Sequence, residues 1–125
     1  MKTILLVDDE DSMVEVLSGL LEDEGYHVVA ASDGEEALTR IAGPELPDLV
    51  LLDVMMPKVD GREVLRRMHA DPQLRSIPVI LMSATAHPIS QAELGEAVFL
   101  QKPFDLHVLL QTLTALLTRQ PRRED

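Results

Sequence analysis

Cysteine and tryptophan are absent from this chain of 125 residues, and aromatic residues make up only 2% of it. Without cysteine the chain can form no disulfide bond and offers no thiol nucleophile, which suits a reducing cytosol, so we expect a cytoplasmic protein. With so few aromatic rings, its core must be built from aliphatic side chains. Apolar residues account for 46% of the sequence, which is enough for one ordinary core.

Basic residues are also scarce, with 11 Lys and Arg against 22 Asp and Glu, for a formal net charge of −11. Proteins that grip DNA neutralise its phosphates with Lys and Arg, so we expect no direct contact with nucleic acid by this chain. A DNA-binding partner or a separate output domain remains compatible with that charge. Long apolar runs are missing as well, and we expect neither a signal peptide nor a membrane span.

Five short apolar runs alternate with amphipathic segments along the chain. The runs are nearly continuous, as expected for parallel strands that are covered on both faces, and the segments between them have helical spacing. This rhythm predicts the order βαβαβαβαβα and an α/β sandwich with right-handed crossovers. The predicted strands are Ile4–Val7, His27–Ala31, Leu49–Leu52, Val79–Met82 and Val98–Leu100.

The fourth helical segment is the weak one. Ser90 followed by Glu93 resembles a capping box, and Gly95 is a suitable C-terminal stop, which leaves room for little more than one turn. We therefore expect a short or irregular fourth helix.

Charged side chains follow three of the predicted strands. Asp8 and Asp9 come after the first, Asp53 after the third and Lys102 after the fifth. Ligands of open parallel sheets bind at this rim of strand ends. Clustered aspartates would take up protons unless a cation lay among them, and oxygen ligands suit Mg²⁺. Taken alone, Asp8 and Asp9 could equally cap the first helix, and it is their combination with Asp53 that favours a metal site.

Asp53 is the candidate nucleophile at this rim, because a carboxylate can attack a phosphoryl group when positive charge screens the approach. Lys102 would supply a point charge for phosphoryl oxygens, and Ser83 could donate a hydroxyl hydrogen bond. Each has an ordinary alternative: a surface lysine before a helix, and a serine that happens to end a strand.

Together these pieces resemble the response-regulator receiver domain of two-component signalling, over essentially the whole chain. The matching segments are Ile4–Asp9, Leu51–Pro57, Asp60-Gly61, Met82–Ala84 and Phe99–Phe104. Each motif is weak alone, whereas all five in order are very specific. The resemblance implies a flavodoxin-like fold whose five-stranded parallel sheet has the order 2-1-3-4-5. It also assigns residues 1–120 to the receiver domain and 121–125 to a polar tail or linker stub.

The resemblance also implies roles for the rim residues. Asp53 would be the phospho-acceptor, and Asp8 and Asp9 would hold Mg²⁺ together with Asp53 and the backbone carbonyl of Met55. The phosphoryl donor would be a histidine kinase or a histidine phosphotransfer protein. The chain would then be a signalling module rather than an enzyme, catalysing only its own phosphoryl transfer and slow autodephosphorylation.

A conformational switch is implied by the same resemblance. Ser83 would be the switch hydroxyl, Lys102 the phosphate-sensing lysine and Phe99 the switch aromatic. Lys102–Pro103 would be a cis peptide, and Met55 and Thr85 would tune the hydrolysis of the phosphoryl group.

The segment from Ser83 to Lys102 is shorter than is usual in that family. The fifth helix also carries Thr112, Thr114 and Thr118 where dimer-forming receivers usually have charges. We therefore expect intact phosphorylation chemistry beside an unusual output surface, which would face a downstream protein or domain or a second copy of the chain.

Two other functions stay open. Asp9-Glu10-Asp11 mimics the D-x-D of Mg²⁺-dependent phosphohydrolases of the haloacid-dehalogenase type, in which Asp9 would be the nucleophile. A receiver-like scaffold that binds partners without phosphorylation is the other. The four histidines (His27, His69, His87 and His107) show no metal-ligand spacing.

Overall fold

The computed structural model describes residues 1–84 and 89–118. Within these residues five strands alternate with five helices, as the apolar runs predict. The elements are β1 Thr3–Val7, α1 Asp11–Asp23, β2 His27–Ala31, α2 Gly34–Ile41, β3 Leu49–Asp53, α3 Gly61–Ala70, β4 Val79–Ser83, α4 Gln91–Leu94, β5 Val98–Gln101 and α5 Leu106–Thr118. Thr85 and the proposed tail, residues 121–125, lie outside the described residues.

All five strands are parallel and form one sheet in the order β2-β1-β3-β4-β5, which confirms the expected topology. The central strands β1, β3 and β4 are almost completely buried, whereas β2 and β5 lie at the two edges and are only partly covered. Continuous burial of the central strands explains why their sequences are apolar at every position rather than at alternate ones.

Two aliphatic clusters cover the two faces of the sheet. On one face, side chains of α2, α3 and α4 pack against alternate strand residues such as Leu52 and Leu81. On the other face, α1 and α5 cover the intervening residues such as Leu51 and Ile80. Because the residues of each strand alternate between the two clusters, a one-residue slip in register would exchange the faces.

Helix starts follow side-chain capping. Asp33 and Asp60 accept hydrogen bonds from the backbone N–H groups of Glu36 and Glu63, at 2.8 and 3.1 Å, and so begin α2 and α3. Helix α1 begins differently, because its N-cap residue Glu10 makes no side-chain cap.

The prediction of a stunted fourth helix is confirmed. Helix α4 has four residues, Gln91–Leu94, and none of them is buried. Ser90 and Glu93 form the expected capping box, and Gly95 ends the helix with a φ of +58°. No helix in the described part of the chain is long and apolar enough to cross a membrane.

The contact between α2 and the loop before α3 leads to a stability prediction. A Cβ on Gly34 would overlap the backbone carbonyl of Val59, whereas one on Gly19, in the middle of α1, would meet nothing within 4 Å. We expect Gly34→Ala to lower the free energy of unfolding by about 2 kcal/mol, because backbone must move to admit the methyl group. Urea denaturation checks this.

Gly19→Ala is the matched control. It should raise the free energy of unfolding by about 0.5–1 kcal/mol, because glycine is a poor residue for a helix interior. Equal effects of the two substitutions would contradict the close approach at Gly34.

Candidate functional site

The site lies at the carboxyl ends of the three central strands. Asp53 is the last residue of β3 and Ser83 is the last residue of β4, so both are part of the sheet rather than of the loops that follow. Asp8 and Asp9 come directly after β1. The parallel strands bring these four residues to one edge, as the sequence predicts.

The carboxylates of Asp8, Asp9 and Asp53 form one cluster. Ligand oxygens from the three residues lie within 4.8 Å of one another. Asp8 is fully buried and Asp53 is 6% exposed, while Asp9 faces solvent. Two fixed carboxylates beside an open one suit Mg²⁺, which uses few protein carboxylates and keeps several waters.

Asp8 is held in place by the backbone around it. Its N–H donates to the carbonyl oxygen of Ala31 at 3.1 Å, and its Oδ1 accepts a hydrogen bond from the N–H of Glu10 at 3.0 Å. The second contact lies just before α1, whose N-cap residue Glu10 has no side-chain cap, so it fixes the Asp8 carboxylate without capping the helix. The remaining oxygen, Oδ2, turns to Lys102.

Lys102 connects the cluster to the far strand. Its Nζ lies 3.0 Å from Asp8 Oδ2 and 3.6 Å from Asp53 Oδ1, and its side chain is only 12% exposed. The Lys102 N–H donates to the carbonyl oxygen of Ser83 at 2.7 Å, and the peptide to Pro103 is cis, as expected. The ammonium therefore lies between two buried carboxylates.

The electrostatics of the site are dominated by burial. Burial is the largest cause that raises the pKa of the Asp53 carboxyl, the charge of Lys102 opposes it, and the charges of Asp8 and Asp9 add to the rise, so that the pKa lies at about 6. Burial works against the charge of Lys102, yet the hydrogen bond to Asp8 and the charges of Asp53 and Asp8 raise the pKa of its ammonium overall. At pH 7 the Asp53 carboxyl is mostly ionised, because the pH lies only about one unit above its pKa.

Helix α3 begins against the backbone of Asp53. The N–H of Gly61 donates to the carbonyl oxygen of Val54 at 2.9 Å, and a Cβ on Gly61 would overlap the carbonyl oxygen of Asp53. Only glycine permits this approach. The sequence offered Asp60-Gly61 as a motif without a physical role, and a glycine directly after a capping aspartate was its signal.

Met55 and Phe99 are the two remaining candidates, and the structure gives their positions but not their roles. Met55 lies in the loop two residues after Asp53, with its side chain 55% exposed. Phe99 pairs with Leu81 in the sheet and is partly buried against the cluster on the α2–α4 face. Their roles as carbonyl ligand and switch aromatic stay predictions.

The three histidines among the described residues lie outside the metal-binding group. In the described part of the chain, the one group of residues that could hold a metal ion is Asp8, Asp9 and Asp53. His27, His69 and His107 lie outside that group, and His87 is not among the described residues.

Comparison with known proteins now identifies the family. The family model of the response regulator receiver domain matches residues 4–114. The chain belongs to the response regulator receiver domain family. It is therefore a receiver domain of two-component signalling, as its motifs predict.

The chain is similar to part of several longer regulators. It is 41% identical, over 94% of its length, to the alkaline phosphatase synthesis transcriptional regulatory protein PhoP of Bacillus subtilis, and 44% identical, over 93%, to the response regulator PleD of Caulobacter vibrioides. The chain spans 49% of the first relative and 26% of the second.

Solved structures agree with the fold. A response regulator protein TrrA from Thermotoga maritima, in complex with Mg²⁺–BeF, matches with a TM-score of 0.83 and 34% identity, covering 93% of this chain and 99% of that one. A signal receiver domain of a histidine kinase from Syntrophus aciditrophicus matches with a TM-score of 0.88 and 33% identity, covering 100% and 96%. A complex of histidine kinase ThkA with TrrA also matches, at 35% identity and a TM-score of 0.82, covering 94% and 99%.

The raised pKa of Asp53 leads to a pH-dependent stability prediction. The pKa of Asp53 in the folded state is about 6, whereas its ordinary value is 3.8, so the folded state binds the proton of this carboxyl more tightly than the unfolded state does. The free energy of unfolding therefore falls as pH rises from about 4 to 6. In EDTA at pH 7.5, Asp53→Asn should therefore raise the free energy of unfolding by roughly 1–3 kcal/mol. The gain should vanish near pH 4.

Urea denaturation at several pH values measures this gain. Glu45→Gln removes the same charge at an exposed position far from the site and should leave stability unchanged. If Asp53→Asn raised the free energy of unfolding equally at all pH values, the raised pKa would not belong to Asp53.

The contact between Lys102 and Asp8 gives a second prediction. Lys102→Met should lower the free energy of unfolding by about 3 kcal/mol, because it leaves Asp8 buried without its cation. Adding Asp8→Asn should restore most of the loss, since no uncompensated charge then remains. A double-mutant cycle in EDTA, followed by thermal unfolding, measures the coupling. Independent, additive effects of the two substitutions would show that the ion pair is not formed.

Proposed function

We propose that Asp53 accepts a phosphoryl group from a phosphohistidine on a histidine kinase or a histidine phosphotransfer protein. One observation carries the proposal: the Asp53 carboxylate is buried, ends a central strand, and shares its site with two further carboxylates and an ammonium. The similar protein TrrA has been solved both with Mg²⁺–BeF and with histidine kinase ThkA, which supports a phosphoryl site and such a partner.

The chemistry follows from the groups present. A carboxylate oxygen of Asp53 attacks phosphorus, the P–N bond of the phosphohistidine breaks, and the imidazole leaves with the electron pair. Asp8, Asp9, Asp53 and the backbone carbonyl of Met55 would hold Mg²⁺, which when bound neutralises charge on the carboxylates and the phosphoryl oxygens. Lys102, whose Nζ lies 3.6 Å from Asp53 Oδ1, adds a positive charge of the protein's own beside the acceptor.

Phosphorylation would then shift the population between two packings. The phosphoryl oxygens attract Lys102 away from Asp8, and the Ser83 hydroxyl donates a hydrogen bond to them. Ser83 and Lys102 are joined through the backbone hydrogen bond at 2.7 Å, so the ends of β4 and β5 would move together. Phe99 on β5 would turn inward with this movement. Its inward position would already be populated before phosphorylation and would become more populated after it.

The partner that recognises the phosphorylated state would be a downstream protein, an output domain or a second copy of the chain. Some curated relatives, PhoP of Bacillus subtilis among them, are transcriptional regulatory proteins about twice as long as this chain, so DNA binding would belong to another domain or protein. The net charge of −11 agrees with that division of labour.

The two alternative functions predict different residues. A phosphohydrolase of the haloacid-dehalogenase type would use Asp9 as its nucleophile, yet Asp9 is the exposed member of the cluster, and Lys102 contacts Asp8 and Asp53 instead. A scaffold would need no acceptor, whereas in this chain the carboxylates of Asp8, Asp9 and Asp53 and the ammonium of Lys102 lie together at one rim.

Acetyl phosphate with Mg²⁺ tests the proposal. We expect one phosphoryl group per wild-type chain, detected by intact-protein mass spectrometry, and none in Asp53→Ala. Asp9→Ala should still be modified at saturating Mg²⁺, with a higher Mg²⁺ requirement, because it removes a metal ligand but not the acceptor.

Beryllofluoride binding provides the second measurement, and Glu45→Ala provides a matched control for the loss of one remote acidic residue. Modification that survives in Asp53→Ala but is lost in Asp9→Ala would favour the phosphohydrolase. A wild-type protein that responds to neither reagent would favour the scaffold.

A further inference from the structure

Helix α4 depends on its neighbours for its position. It has four residues and none of them is buried. Its backbone is held by Ser90 and Gln91: the N–H groups of Glu93 and Gly95 donate to Ser90 Oγ at 3.1 Å and to the Gln91 carbonyl oxygen at 2.8 Å. A single turn is not stable alone, because nucleation fixes several residues for one or two hydrogen bonds. Contacts outside the helix therefore decide how much of it is formed.

Helix α3 supplies those contacts. Arg62 Nη2 lies 3.6 Å from Glu93 Oε1, and this same oxygen closes the capping box by accepting from the Ser90 N–H at 3.2 Å. At the other end of α4, a Cβ on Gly95 would lie 2.9 Å from Cε1 of His69. The two helices are thus joined at the start and at the end of α4.

A cleft of about 440 Å³ lies beside these contacts. It is lined by Leu65 of α3, Ala92 of α4 and Ile89, which precedes α4. Leu94 and Ile89 pack against the core cluster beside this cleft, and the Arg62–Glu93 contact is an ion pair between α3 and α4 in the described part of the chain.

Arg62 is also adjacent to the acceptor strand. Gly61, the residue before it, donates its N–H to the Val54 carbonyl oxygen and has no room for a Cβ beside the backbone of Asp53. A shift of the Asp53–Val54 backbone must therefore move the first turn of α3, and the Arg62 side chain with it.

Arg62 differs in this respect from the other arginines of α3. Arg66 and Arg67 both pair with Glu63 of their own helix, at 2.6 and 2.8 Å, and so tie α3 only to itself. Arg62 instead reaches across to Glu93.

We propose that Arg62 is a positioning residue that couples Asp53 to α4 through Glu93, alongside the path through Ser83 and Phe99. The inference rests on the proposed phosphorylation of Asp53. A change at the acceptor moves the start of α3, the Arg62–Glu93 contact strengthens or weakens, and the formed population of α4 changes with it.

Hydrogen exchange at the backbone amides of Glu93, Leu94 and Gly95 tests the coupling, with and without Mg²⁺ and beryllofluoride. Arg62→Ala should speed their exchange in the free protein by about two- to fivefold, as expected for a partly exposed ion pair. The beryllofluoride-induced change at these amides should fall to about half or less of its wild-type size, while half-saturation with beryllofluoride shifts by less than about threefold.

Glu93→Gln separates the ion pair from the capping box. Glutamine can close a capping box as glutamate does, so this variant removes the charge and keeps the cap. It should behave like Arg62→Ala, and Arg62→Lys should recover much of the response. Arg40→Ala, which removes a comparable exposed ion pair within α2, is the matched control and should resemble wild type.

The outcomes separate the two proposals. If wild-type protein binds beryllofluoride but exchange at α4 is unaltered by Arg62→Ala and Glu93→Gln, the coupling is overturned and the proposed function stands. If Glu93→Gln alone resembles wild type, Arg62 does not act through the charge of Glu93, and the coupling is again overturned. If wild-type protein does not respond to beryllofluoride at all, the proposed function fails and the coupling fails with it.

Discussion

The contact between the Lys102 ammonium and the buried Asp8 carboxylate is the interaction on which the site depends. Three carboxylates at one rim repel one another, and burial makes that repulsion stronger than it would be in water. Lys102 offsets part of it, at 3.0 Å from Asp8 and 3.6 Å from Asp53. One unit of positive charge cannot balance three negative ones, so the site keeps a net negative charge and is suited to a cation.

The sheet order turns this local contact into a property of the whole fold. Asp8 follows β1, Asp53 ends β3 and Lys102 follows β5, three elements that are remote in sequence. The order β2-β1-β3-β4-β5 places the acids on neighbouring strands, and the lysine reaches them from the edge strand β5. The backbone hydrogen bond from Lys102 to Ser83 holds that edge in register. Any force on the ammonium is therefore felt at the ends of two strands.

Most of this arrangement could be predicted from the sequence, because it follows from strong local patterns. Buried parallel strands are apolar at every position, so their ends are easy to locate, and the acids stand at those ends. The short α4 was equally legible, since Ser90, Glu93 and Gly95 are start and stop signals within six residues. The pattern could not show which carboxylate Lys102 contacts. The sequence suggested a role for Lys102 with phosphoryl oxygens, and the structure adds that its ammonium lies closest to Asp8.

Contacts between distant residues were invisible for the same reason. Gly61 entered only as part of a matching motif, yet it has no room for a side chain beside the Asp53 backbone. Arg62 and Glu93 are 31 positions apart, and nothing in the spacing of exposed charges links them. Such pairs arise where tertiary structure brings two helix surfaces together, and a one-turn helix makes them matter. A long, well-buried α4 would hold its own position, whereas this one takes its position from α3, which itself begins on the acceptor strand.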